Sequence, residues 1–128
     1  MNLKTIFKRF ILLDLLLIVL VIASIFFEST EVADFNRYFE NDWSNSLLIV
    51  VGIGLLIYLI NLFLLYKFKS IGKQIYLILF IVFGILNLIS PPIAMDSFYY
   101  LLDGLGCANS GAILIFLYFT PIKKEFDK

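Results

Sequence analysis

The chain has 128 residues, of which 62% are hydrophobic and 16% are charged, and its formal net charge is zero. Average soluble domains are about 45–50% apolar and about 25% charged, so this composition is typical of an integral membrane protein. Histidine is absent and Cys107 is the only cysteine. These counts exclude an internal disulfide and argue against a zinc site of the cysteine or histidine type. We expect a lipid bilayer as the main partner, with no nucleic acid.

Four apolar segments predict four membrane-spanning helices, at residues 10–27, 47–66, 71–89 and 98–120. A helix of eighteen residues is roughly 27 Å long, close to the hydrocarbon thickness of a bilayer. A signal peptide is the competing interpretation of the first segment, because basic residues precede it. The length of the segment and the absence of a cleavage site of the A-x-A type favour a span. We therefore predict an all-α protein whose single domain, residues 1–128, is an up-down bundle of four transmembrane helices.

The longest polar segment, residues 28–45, follows the first predicted span. Four apolar residues recur there at helical spacing: Val32, Phe35, Phe39 and Trp43. This pattern predicts an amphipathic helix that lies on the membrane surface, since one face would be apolar. An ordinary loop that contains some aromatic residues is the alternative.

The basic residues are distributed very unequally between the two sides of the predicted bundle. Three lie before the first span, three lie in or next to the turn between the second and third spans, and three lie in the C-terminal tail, whereas Arg37 alone lies on the opposite side. The positive-inside rule then places both termini in the cytoplasm. A bacterial inner (plasma) membrane is the expected location.

Asp14 is the only charged residue of the first apolar segment. A carboxylate at the centre of a span costs about 2.5–3.5 kcal/mol on insertion scales. One interpretation is an interfacial ion pair with Lys8 or Arg9, and the other is a carboxylate that binds a proton or a cation. Asn61 lies at a similar depth in the second span, so we predict a polar contact between Asp14 and Asn61, with Gln74 nearby.

One more polar pair and one further buried amide are predicted at the fourth span. Asp103 and Asn87 lie at similar depths in neighbouring helices. They either form a hydrogen bond that locks the hairpin, or Asp103 is an ion or substrate ligand at the outer mouth of the bundle. Asn109 lies closer to the centre of the membrane, where an amide should bond to a partner helix of the same chain or of a second protomer.

Small residues on the fourth span predict a helix-packing seam. At 100° per residue, one face carries Asp103, Gly106, Cys107 and Ser110, with Gly104 and Gly111 at its margin. Small side chains allow another helix to approach closely, and polar ones can form hydrogen bonds across the contact.

No catalytic motif accompanies these polar residues: the sequence has no histidine base, nucleophile elbow, nucleotide-binding glycine loop or metal-ligand cluster. We expect a non-enzymatic membrane protein, without cofactor or metal, that acts through helix–helix contacts as an accessory, regulatory or immunity-type partner. Its own partner is then a membrane protein or a second copy of the chain. The alternative is a small oligomeric ion or solute transporter or channel that uses Asp14 or Asp103.

Overall fold

The structure of the chain, a computed structural model, describes residues 2–39, 45–89 and 93–127, and within them it contains helices and no strand. The helices are α1 (Leu3–Ser24), α2 (Thr30–Phe39), α3 (Asn45–Tyr66), α4 (Ser70–Ile89), α5 (Ser97–Phe119) and α6 (Lys123–Phe126). A short 3-10 turn, Ile25–Phe27, follows α1. The all-α prediction is thus confirmed for this part of the chain.

Three helices are long and apolar enough to cross a membrane: Ile49–Tyr66 within α3, Ser70–Ile89 and Ser97–Phe119. They coincide with the second, third and fourth predicted spans to within two residues at each end. The chain therefore has the features of a multi-pass membrane protein.

The first predicted span differs from the observed helix. α1 begins at Leu3 and ends at Ser24, whereas the apolar segment runs from residue 10 to residue 27. The prediction followed hydropathy alone. Helix formation also depends on backbone hydrogen bonds and on helix propensity, and this propensity is good for Lys4, Lys8 and Arg9. One consequence is that Asp14 lies near the middle of α1 and not near its start.

The four long helices contact one another in a closed order. α1 packs most extensively against α5 and α3 against α4, while α1 also contacts α3 and the least extensive contact joins α4 to α5. Neighbouring helices run antiparallel, since Phe7 meets Phe116 at one level of the α1–α5 contact and Asp14 meets Asn109 at another.

The hydrophobic core is concentrated at one end of the long helices, which we call the basic end because both termini and the α3–α4 turn meet there. Its largest buried side chains include Phe7, Leu65, Tyr76, Ile113 and Phe126. The core closes this end, and among the described residues the opposite end, which carries α2, contains fewer buried side chains.

The turn between α3 and α4 ends α3 in a Schellman motif. The Phe68 N–H donates to the Leu65 carbonyl at 2.9 Å, and the Lys69 N–H donates to the Leu64 carbonyl at 3.0 Å. Phe68 has a φ of 55°, in the left-handed region where glycine is the usual residue. Its ring lies 5.7 Å from the ring of Phe7 and 5.3 Å from that of Phe126, which explains why a large side chain occupies this position.

Substitutions of Phe68 should separate the cost of this conformation from the value of the ring. Both Phe68→Ala and Phe68→Gly lose the ring contacts, but only glycine avoids the left-handed penalty of roughly 1–2 kcal/mol. We therefore expect the alanine variant to unfold at a lower temperature than the glycine variant. The unfolding temperature is measured by circular dichroism in detergent micelles. The control is Phe63, an exposed residue inside α3, where glycine should be the worse of the two by about 1 kcal/mol. The same order at both positions would contradict this account.

Polar contacts attach α2 to the connection before α5. The Asn36 amide donates to Glu28 Oε1 at 2.8 Å and to the Ala94 carbonyl at 3.1 Å, and its oxygen accepts from the Ala94 N–H at 2.9 Å. The Asp96 carboxylate accepts two hydrogen bonds from Ser29. These contacts were not predicted from the sequence, because they join polar side chains and backbone groups that hydropathy does not bring together.

The predicted surface helix is present as α2 over Thr30–Phe39. On its predicted apolar face, Val32 is half-buried and Phe35 is exposed. Trp43 lies outside the described residues, as does the side chain of Phe39.

Candidate functional site: a cavity between the four long helices

A cavity of about 470 Å³ lies between the long helices, toward the α2 end. All four long helices line it, and its wall is mainly apolar. The polar and ionisable groups on the wall are Asp14, Tyr58, Tyr76, Asn87, Asp103, Cys107 and Ser110. A smaller cavity, of about 260 Å³, is lined by Asn36 of α2 and by Asp96, among other residues.

A chain of hydrogen bonds forms one end of the larger cavity. Asp14 is 3% exposed; its Oδ2 accepts from the Tyr58 hydroxyl at 2.5 Å and its Oδ1 accepts from Asn109 Nδ2 at 2.7 Å. The hydroxyl oxygens of Tyr58 and Tyr76 lie 3.4 Å apart. Side chains of all four long helices thus share one polar network.

Asn109 anchors this network from α5. Its Nδ2 also donates to the Phe10 carbonyl at 3.1 Å, so one amide group holds both the backbone and a side chain of α1. The predicted partner helix of Asn109 is therefore α1 of the same chain. The Asn109 oxygen is buried and accepts no hydrogen bond within the described residues.

The predicted contact between Asp14 and Asn61 is wrong. Asn61 is fully buried, and neither of its polar side-chain atoms has a hydrogen-bond partner within the described chain. Its oxygen lies against Gly72 of α4 instead, 3.3 Å from the place of an added Cβ. Because α1 begins earlier than predicted, Asp14 lies level with Tyr58, one helical turn from Asn61. Gln74 is exposed and has no bond to Asp14.

The predicted ion pair of Asp14 is also absent from the described part of the chain. Asp14 bonds to Tyr58 and Asn109, and the Lys8 ammonium lies 4.5 Å from the centre of the Tyr66 ring. A short aspartate side chain near the middle of α1 faces the neighbouring helices, whereas a lysine near the basic end can extend along aromatic surface.

Asp103 and Asn87 both line the cavity, but no hydrogen bond joins them in the described chain. Both side chains are exposed. The predicted hydrogen bond that would lock the α4–α5 hairpin is therefore not formed. The contact between α4 and α5 is the least extensive among neighbouring long helices, and Asp103 and Asn87 both face the cavity.

The predicted packing seam of α5 borders the cavity. Gly106, Cys107 and Ser110 line its wall, and Cys107 is exposed. A Cβ added at Gly104, Gly106 or Gly111 would meet no atom within 4 Å. The close helix contacts at glycine lie between α3 and α4: a Cβ at Gly54 would be 3.0 Å from the Phe83 ring, and one at Gly72 would be 3.1 Å from Leu64 Cβ.

Sequence reasoning missed Tyr58 and Tyr76, the links between Asp14 and α4. A usable signal was present, since tyrosines of a span usually lie in the headgroup zone and Tyr58 lies near the middle of α3. A phenol at that depth needs a hydrogen-bond partner, and Asp14 is the acidic group of the first apolar segment.

Among the described residues, the cavity wall carries two acidic side chains, Asp14 and Asp103, and no lysine or arginine. No group of three or more histidine, cysteine, aspartate or glutamate residues that could hold a metal ion occurs in the residues that the structure describes.

No family of known proteins, no curated protein and no solved structure matches this chain.

Proposed function

We propose that the chain is a membrane protein with four spans, in which α1 is the additional span and both termini lie in the cytoplasm. Beyond Arg9, α1 is apolar except for its last residue, Ser24, and for Asp14, whose carboxyl is buried and bonded. The excess of basic residues at the basic end supports this orientation under the positive-inside rule. A bacterial inner membrane is the location that this charge distribution suits.

We further propose that this protein is non-enzymatic and binds a small solute in the cavity, as a solute-binding protein or a small transporter. The cavity is the observation that carries this proposal. Its volume of about 470 Å³ falls within the range of roughly 300–1,000 Å³ typical of small-molecule sites. Its wall is apolar with a few polar groups at defined places, which is also typical of such sites. The hydrophobic core closes the basic end, so the solute would enter from the α2 end or between α4 and α5.

Action through helix–helix contacts is the second candidate function. The observation that favours it is the open space at Gly104 and Gly111 on α5. A second copy of the chain or another membrane protein could approach this part of α5 closely. Such a partner need not fill the cavity, since neither glycine lines it.

The single cysteine provides a test of solute access, because Cys107 lines the cavity. We expect a charged, membrane-impermeant methanethiosulfonate reagent, added outside spheroplasts of a bacterial expression host, to modify Cys107. A thiol in contact with lipid alone would not react, because the nucleophile is the thiolate, which forms in water, attacks the sulfenyl sulfur of the reagent and displaces methanesulfinate. The extent of modification is measured by mass spectrometry of the purified protein.

Two glycine variants provide the control for this experiment. A Cβ at Gly84 or at Gly52 meets no atom within 4 Å, but only Gly84 lines the cavity. Gly84→Leu should therefore slow the modification of Cys107, whereas Gly52→Leu should not. A Cys107 that reacts only after detergent solubilisation would overturn the proposal of a water-accessible cavity. Reaction from the cytoplasmic side alone would overturn the proposed orientation.

A further inference from the structure

The charges of the cavity wall limit what it can bind. Its ionisable groups include the carboxyls of Asp14 and Asp103, and no basic side chain of the described chain lines it. An anionic solute would meet like charge and would lose part of its hydration without gaining a counter-ion, which is unfavourable. A neutral apolar solute would displace water from Asp103 and offer that carboxylate no replacement. The charges therefore favour a cation.

The two carboxyls differ in how available they are. Asp14 is buried and already accepts hydrogen bonds from Tyr58 and Asn109. Asp103 is exposed and has no hydrogen bond or ion pair with any described residue. A bound cation would therefore pair with Asp103, while Asp14 would add a second negative charge or an oriented dipole at the far end.

Aromatic rings on α3 and α4 form another part of the wall. Tyr58, Tyr76, Phe80 and Phe83 all line the cavity. The Tyr58 ring lies 5.7 Å from the Tyr76 ring and meets the Phe83 ring edge-on at 6.2 Å. Aromatic walls attract organic cations through the negative charge of the ring faces, and they suit cations that carry apolar substituents.

We propose that the cavity binds a hydrophobic organic cation, whose charge pairs with Asp103 and whose apolar groups contact the aromatic wall of α3 and α4. This inference rests on the proposed solute-binding function and names the chemical class of the solute. A small inorganic cation fits less well, because most of the wall is apolar and the two carboxyls lie on different helices, α1 and α5.

Tetraphenylarsonium and tetraphenylborate are suitable probes, because they have nearly the same size and shape and opposite charges. Their binding to the full-length protein in detergent micelles is measured by isothermal titration calorimetry, and protein-free micelles correct for partitioning. We expect tetraphenylarsonium to bind and tetraphenylborate not to bind. Equal binding of the two ions would overturn the proposal, because hydrophobicity alone would then explain it.

Variants locate the bound charge. Asp103→Asn should weaken tetraphenylarsonium binding about tenfold, the effect of a partly buried ion pair. The matched control, Asp34→Asn, removes an exposed carboxylate of α2 that pairs with Arg37 and lies outside the cavity. It should leave the affinity unchanged. Phe80→Leu should weaken binding a few-fold through loss of an aromatic face. Indistinguishable affinities for the two aspartate variants would overturn the assignment of Asp103.

The two proposals fail in different ways. If Cys107 is modified from outside but neither ion binds, the cavity is accessible and the organic-cation inference is wrong. If Cys107 is not modified from either side of the membrane, the solute-binding function itself is wrong. Binding of tetraphenylarsonium that Gly84→Leu abolishes would support both proposals together.

Discussion

Asn109→Leu should destabilise the folded protein by about 2–3 kcal/mol, because it removes a hydrogen-bond donor from a buried carboxyl group. Asn109 Nδ2 lies 2.7 Å from Asp14 Oδ1, and both side chains are at most 5% exposed. Interhelical hydrogen bonds between neutral groups in membranes average only about 0.6 kcal/mol. The larger value applies here because Asp14 would stay buried with one partner fewer. The free energy of unfolding is measured by reversible denaturation in mixed detergent micelles.

The double variant tests the cause of this loss. Asp14→Leu combined with Asn109→Leu removes both partners, and an apolar pair of similar size is nearly neutral. We therefore expect the double variant to be more stable than Asn109→Leu alone. The Tyr58 hydroxyl would then retain Tyr76 as a neighbour at 3.4 Å. If the destabilisation of the double variant equals the sum of those of the two single variants, the hydrogen bond between Asp14 and Asn109 contributes no free energy of its own.

Asn87→Leu is the matched control, because it makes the same substitution at an exposed amide of α4 without a hydrogen bond to any described residue. Surface substitutions of this kind usually change stability by less than about 0.5 kcal/mol. An Asn109→Leu variant as stable as Asn87→Leu would show that the network around Asp14 does not hold α1 to α5.

Hydropathy was sufficient to predict α3, α4 and α5, because a long apolar segment between polar turns has few other stable structures in a membrane. It was not sufficient for α1. Lys4, Lys8 and Arg9 are polar, so they lie outside the apolar segment, yet α1 starts at Leu3. Besides the helix propensity of these residues, tertiary contacts stabilise that start: Phe7 is fully buried against Phe116 and Phe126, which lie more than a hundred residues further along the chain.

The partners of Asp14 depend on helix rotation and register, which hydropathy does not determine. Tyr58 and Asn61 are one turn apart and both point into the protein, but Tyr58 meets α1 and Asn61 packs against Gly72 of α4. A shift of α1 by one turn would exchange the two candidates. The sequence therefore indicates that Asp14 has a polar partner without indicating which one.

The cavity could not be predicted for a different physical reason. A face of small residues on α5 is compatible with a close helix contact and with an empty space. Which of the two forms depends on the bulk of the side chains that face it. Phe83 of α4 packs its ring against Gly54 of α3, so this bulky side chain contributes to the α3–α4 contact. The least extensive contact between neighbouring long helices is that of α4 with α5, and the cavity lies there.

Phe126→Ala should destabilise the folded protein by about 3–5 kcal/mol, because it removes a large buried ring from the core at the basic end. Phe126 is fully buried, and its ring lies 5.8 Å from the ring of Phe7 and 5.3 Å from that of Phe68. α6 has only four residues, so it cannot be stable by itself and must be held by this packing. The unfolding free energy of the full-length variant in detergent micelles is the measurement.

Phe119→Ala is the control for lost ring volume, because Phe119 is 84% exposed and belongs to the same part of the chain. Its effect should be small in comparison. Ion pairs also connect this end of the chain to the bundle, Lys4 with Glu125 at 2.9 Å and Lys73 with Asp127 at 3.7 Å. Exposed pairs contribute about 0–1 kcal/mol, so Lys4→Ala should also cost little. If Lys4→Ala costs as much as Phe126→Ala, charge holds α6 in place and aromatic packing does not.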